Sequence, residues 1–144
     1  MSTNKTQKSE TSSSSSPALE PSLEKALECA RAVIEKKAEN TKILDINEIS
    51  SFTHYFVICS GSSDRQVQAI AHGVEAQLEK LGYELLSSEG FTEGRWVLMD
   101  FGDVVVHVFL DALREYYDLE NLWVSAPHVK IPAEFYGPGA SRLN

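Results

Sequence analysis

The sequence predicts a single α/β domain in which a mixed β-sheet is covered by helices. Three observations predict it. Two stretches with the apolar spacing of amphipathic helices alternate with apolar runs of strand character, two further β-rich runs flank a two-residue Gly102-Asp103 turn, and 144 residues leave room for one hydrophobic core. There are no internal repeats.

Residues 1–16 are polar and Ser-rich, without a branched aliphatic or aromatic side chain, and cannot bury enough surface to offset the entropy of ordering. Residues 1–20 are therefore expected to be a disordered tail, with the folded domain spanning 21–124. Pro21 suits a first helical position, and Leu23, Ala26, Leu27, Ala30, Ile34 and Ala38 form one stripe, so the helix is expected to end near Asn40. Residues 43–46 read as a short strand. Residues 54–60 (HYFVICS) read as a buried one, because the apolar run is almost unbroken.

Gly61-Ser62-Ser63 then turns the chain into a second helix. Ser62 or Ser63 can cap it, Asp64 suits its positive end, Val67, Ile70, Ala71, Val74, Leu78 and Leu81 supply its apolar stripe, and Gly82 stops it. A strand over 83–87 and a glycine-punctuated loop over 89–94 follow. The runs 95–101 and 104–110 make an antiparallel hairpin. With Phe101 opposite Val104, Trp96 lies opposite Phe109, Leu98 opposite His107 and Asp100 opposite Val105. One face then carries Trp96, Leu98, Asp100, Val105, His107 and Phe109, and the other, the core face, carries Val97, Met99, Phe101, Val104, Val106 and Val108. Asp111 can cap a last helix (ALREYYDLENLW), and the prolines and glycines beyond make 125–144 an extended C-terminal tail.

The net charge is −8, and the polar tail contributes none of it. Between Glu84 and Glu120 stand nine acidic residues against Arg95 and Arg114. Such a surface repels phosphate backbones and steers toward a basic partner, or serves solubility alone. No basic stripe interleaved with aromatics is present, so direct reading of nucleic acid is not expected. No apolar run approaches the roughly 20 residues that cross a bilayer, and the N-terminal residues lack a signal-peptide pattern. Cys29 and Cys59 sit in apolar settings without a CxxC and read as reduced core thiols. The expected location is cytoplasmic, with no membrane partner.

Catalytic readings are weak. The strand, small-residue turn and helix of FVICSGSSDRQ have phosphate-binding geometry but lack the lysine of a P-loop and the spacing of a dinucleotide loop. Cys59 is expected to be buried. Asp100 and Asp103 straddle a turn at an odd step, so they do not share a strand face as paired metal-binding acids must. His54, His72, His107 and His128 are scattered, and His72 with Glu75 reads as a solvated pair. His107 beside Asp100 suggests a structural ion pair or hydrogen bond. No cofactor, metal or catalytic residue is assigned. Trp96, with Leu98 and Asp100, is either a binding anchor or ordinary core.

The run DINEISSFTHYFVICSGSSDRQVQAIA, the Glu89-Gly90 pair, GRWVLMDFGDVVVHVF and REYYDLENLW, in this order over about residues 23–124, resemble the Iojap family of ribosomal silencing factors. The resemblance implies a fold related to nucleotidyltransferases but without their catalytic carboxylates. It also implies binding to large-subunit ribosomal protein fourteen on the subunit-joining face, which excludes the small subunit, with Trp96 as the contact; Leu98 and Asp100 extend that site by sharing its face. Two other classes stay open: a nucleotidyltransferase-like nucleotide-binding enzyme using the Gly61–Ser63 turn, and a homodimeric module with Trp96 in its interface.

Overall fold

The computed structural model describes residues 20–118, 121 and 124–137. Residues 1–19 of the expected disordered tail, and residues 119, 120, 122, 123 and 138–144, lie outside the described residues. The chain folds as α1 (Pro21–Glu35), β1 (Glu39–Asp45), β2 (Tyr55–Gly61), α2 (Asp64–Lys80), β3 (Ser87–Glu89), β4 (Trp96–Asp100), β5 (Val104–Leu110), α3 (Asp111–Tyr117), β6 (His128–Val129) and a 3₁₀ turn, Ala133–Tyr136. The six strands form one mixed sheet in the order β3-β4-β5-β2-β1-β6. Its central pair, β2 and β5, is parallel, with Tyr55 opposite Val104 through Gly61 opposite Leu110; every other pair is antiparallel.

Pro21 opens α1 as expected, and the Glu20 side chain caps it by accepting from the amides of Ser22 and Leu23. The helix ends five residues before Asn40. Lys37 turns left-handed (φ 68°), and the Ala38 amide folds back onto the Val33 carbonyl, so Ala38 reaches the core from beyond the helix rather than along it. Asn40, also at positive φ, lies at an irregularity in β1, which is longer than the expected strand.

Ser63 caps α2 by accepting from the Gln66 amide, while the Gln66 side chain accepts the Ser62 amide in return. Val67, Ile70, Ala71, Val74 and Leu78 are buried, but Leu81, the helix C-cap, is exposed. The strand expected over 83–87 begins only at Ser87. Tyr83 and Leu85 pack against the core instead, and Glu89 belongs to β3 rather than to the loop. Asp111 is not a cap: it sits in the first turn of α3, where its charge suits the helix dipole, and Leu110 holds the cap position without a side-chain bond.

The hairpin has the expected register, Trp96 opposite Phe109, Leu98 opposite His107 and Asp100 opposite Val105. All six side chains on its core face are buried with the stripes of α1 and α2, so both long helices cover the same side of the sheet. The opposite side carries a second cluster: Leu44, Ile46, Ile58, Phe109 and Ala126, with Phe56, Trp96 and Leu113 packed against it. Residues 125–137 of the expected extended tail belong to the fold: Ala126 is buried, β6 pairs with β1, and 133–136 form the 3₁₀ turn, from which Phe135 packs on the core beneath Arg31.

Gly90 is needed by a close approach. It has φ 88°, and a Cβ there would lie 2.0 Å from the Trp96 carbonyl oxygen. Gly82 shares the positive φ (92°), but a Cβ there would meet nothing within 4 Å. Gly82→Ala is therefore expected to cost about 1 kcal/mol of backbone strain, and Gly90→Ala about 3 kcal/mol or more, since β4 must also shift. Melting temperatures of the two variants check this; equal losses would rule out the close approach as the cause.

Candidate functional site on the outer sheet face

The strand registers lay three rows across the side of the sheet away from α1 and α2. Glu89, Leu98, His107 and Ile58 form one; Ser87, Asp100, Val105 and Phe56 the next; Trp96, Phe109 and Ser60 the third. Trp96, Leu98 and Asp100 thus share the face expected of them, and all three are half-buried. Trp96 is both a packed residue and a surface one. Its ring stacks on Phe109 at 4.8 Å, meets Tyr117 at 5.3 Å, and donates from Nε1 to Nδ1 of His107 at 3.2 Å. The aromatic surface continues outward through Tyr117 to Tyr116, whose ring stands edge-on at 5.1 Å and is largely exposed.

His107 does not pair with Asp100. Asp100 Oδ1 accepts the Gly102 amide at 2.8 Å and helps close the hairpin turn, while His107 is buried and turns to Trp96, with Phe56 edge-on at 4.6 Å. Burial pushes the His107 pKa down to about 4, because an imidazolium there would lose its hydration without gaining a carboxylate. The ring is neutral at pH 7. Its Nε2 is buried without a hydrogen-bond partner among the described residues.

The two acids of the hairpin have separate tasks. Asp103 accepts from Ser22 Oγ and Lys25 Nζ of α1, and Lys25 also donates to the Phe101 carbonyl. Partial burial would raise the Asp103 pKa, but the bonds from Lys25 and Ser22 and the lysine charge outweigh it and hold the carboxyl below its usual range. Asp103 therefore ties the hairpin turn to α1, and it does not converge with Asp100 on a common point. Glu84, Glu89, Glu93, Asp111, Glu115 and Asp118 are exposed, and Glu89 stands on the outer face itself, in the row of Leu98 and His107.

The other catalytic candidates have structural employment. Cys59 is fully buried, and burial pushes its thiol up to about 12; Cys29 is likewise buried and raised. Ser62 and Ser63 are spent on the α2 cap. His72 is exposed and lies 5.9 Å from the Phe91 ring. Among the described residues no group of three or more His, Cys, Asp and Glu side chains is placed to hold a metal ion. No helix among them is long and apolar enough to cross a membrane. Sequence reasoning missed the bond between Trp96 and His107, although the hairpin register already put both on one face.

An α/β domain with its two long helices on one side of the sheet and a half-buried aromatic cluster on the other defines the structural class. The family follows from comparison: the chain matches the family "Ribosomal silencing factor during starvation" over residues 19–141 and belongs to it. It is 51% identical over 98 residues to Ribosomal silencing factor RsfS of Bacillus subtilis, covering 68% of this chain and 83% of the relative. A crystal structure of a Chromobacterium violaceum protein superposes with a TM-score of 0.70 at 36% identity, covering 83% of this chain and 95% of that one. A more distant relative, 32% identical over 92 residues, is the Mus musculus protein named Mitochondrial assembly of ribosomal large subunit protein 1; the match covers 62% of this chain and 40% of that one.

The neutral state of His107 has a consequence for stability. The folded pKa lies near 4 and the unfolded value near 6.5, so the unfolded chain takes up a proton first as pH falls. The contribution, about 3 kcal/mol, is fully present above pH 6.5 and is lost as pH drops from 6.5 to about 4. Asp103, with its lowered pKa, acts in a lower window, losing its contribution as pH falls through its folded value. Denaturant unfolding at pH 7, 5.5 and 4.5 is expected to show a steeper loss for wild type than for His107→Gln; parallel profiles would remove His107 as the source.

Proposed function

We propose that this protein silences translation in the cytoplasm without catalysis, by docking its outer sheet face on large-subunit ribosomal protein fourteen and excluding the small subunit from the joining surface. The observation that carries the reading is the half-buried Trp96, braced by Phe109 and Tyr117 in the most acidic stretch of the chain. Membership of the silencing-factor family supports a ribosomal partner, and the mouse relative's name supports the large subunit. An indole with Leu98 beside it supplies an apolar anchor, while Asp100 and the surrounding carboxylates suit a basic partner and set the encounter. Occlusion then performs the regulation, and no bond is made or broken.

The anchor and the charges are expected to separate kinetically. Rising salt should slow association with isolated large subunits, because exposed charge is screened over about 8–10 Å at physiological ionic strength. Trp96→Ala should instead speed dissociation, weakening binding by roughly thirtyfold, the equivalent of about 2 kcal/mol. Melting temperature is measured alongside, since alanine also removes the packing on Phe109. A folded Trp96→Ala protein that binds large subunits as tightly as wild type and still prevents subunit joining would remove Trp96 from the interface.

Co-sedimentation tests the reading as a whole. On a sucrose gradient of cell extract, the protein should travel with free large subunits and be absent from joined ribosomes. Appearance with joined ribosomes would contradict steric exclusion.

A further inference from the structure

The indole of Trp96 is a donor only, so its bond to His107 requires Nδ1 of the imidazole to be the acceptor and puts the ring proton on Nε2. That nitrogen is buried and has no hydrogen-bond partner among the described residues. A histidine used only to fill space here is a poor choice, because an apolar side chain of similar volume would pack against Phe56 and Phe109 without leaving a polar atom unpaired. What the imidazole supplies and a leucine does not is an acceptor at the indole nitrogen. Asp100, the other polar group on this face of β4 and β5, has one oxygen turned to the Gly102 amide.

We propose that His107 is the positioning residue of the docking surface, selecting through Nδ1 the one orientation of the Trp96 indole that the partner receives. The inference rests on the docking reading above and specifies how the anchor is held. Stacking on Phe109 and contact with Tyr117 restrict the plane of the indole, and a half-turn about χ2 keeps that plane while swinging Nε1 away from His107. The hydrogen bond is directional and distinguishes the two. The imidazole is itself held, with Phe56 edge-on at 4.6 Å and the Phe109 ring at 6.2 Å and nearly parallel. When the acceptor is removed, the indole divides between orientations, and apparent affinity falls by the fraction that remains competent.

The test pairs His107→Leu, which removes the acceptor, with His107→Gln, which keeps one. His107→Leu is expected to hold or raise the melting temperature, shift the Trp96 indole N–H resonance (assigned by its loss in Trp96→Phe), speed its hydrogen exchange, and weaken binding to isolated large subunits by about three- to tenfold. His107→Gln should restore most of the affinity. Nitrogen chemical shifts of wild-type His107 should report the Nε2-protonated tautomer, a reading that needs no variant to fold. An Nδ1-protonated ring, or a His107→Leu protein that binds large subunits like wild type, would overturn the positioning role. Wild-type protein that does not bind large subunits would overturn the docking reading and the inference with it, and is distinguishable because the tautomer and the indole resonance would still report the bond.

Discussion

The Gly102-Asp103 turn sets the register of β4 on β5, and the division of the molecule into two sides depends on that register. The side-chain period of a strand is two residues, so a slip of β4 by one would carry Val97 and Met99 out to solvent and bring Trp96, Leu98 and Asp100 under the helices. Two groups lock the turn from opposite sides. Asp100 accepts the Gly102 amide, and Asp103 reaches to Ser22 and Lys25 of α1. The first closes the hairpin locally and the second ties it to a helix far earlier in the chain, so strand register and helix packing are specified together. The parallel pairing of β5 with β2 then carries the same alternation across the sheet.

A consequence is that the two hydrophobic clusters have different characters. The one under α1 and α2 is built mainly from aliphatic side chains closed off from water, and it supplies stability. The outer one is richer in rings, Phe56, Trp96 and Phe109 with His107 among them, and it is less completely covered. Rings present large area with few rotatable bonds, which suits a surface that meets a partner without first having to order itself. In this arrangement Trp96 is part of the packing and available at the surface, so its place in the packing is compatible with the anchor role proposed for it.

Much of this was legible in the amino-acid sequence wherever a local rule had a single solution. A two-residue turn with glycine between two β-rich runs admits one pairing, and the apolar alternation then decides the faces. The family motifs spanning 45–123 likewise carried the fold class and the family. What was not legible involved backbone conformations or partners chosen by tertiary contact. Ala38 keeps helical spacing but follows the left-handed Lys37, so α1 stops earlier than its stripe. Leu81 also fits the period of its helix, yet it lies at the C-cap beside Gly82 and faces water. His107 and Asp100 share a face, and electrostatics alone would pair them; the carboxylate is engaged by its own turn, and the imidazole takes the indole instead.

The two margins of the sheet are β3, with three residues, and β6, with two. Strands this short leave little unpaired backbone on which another chain could add itself, and Glu89 places a charge on one of the margins. Recognition through added strands is thereby disfavoured, and so is edge-to-edge fibre growth. On the proposed reading the protein acts by occupancy and must match its target in number, so it has to accumulate in the cell without sticking to its own copies, and blunt sheet margins together with a strongly negative surface permit that crowding.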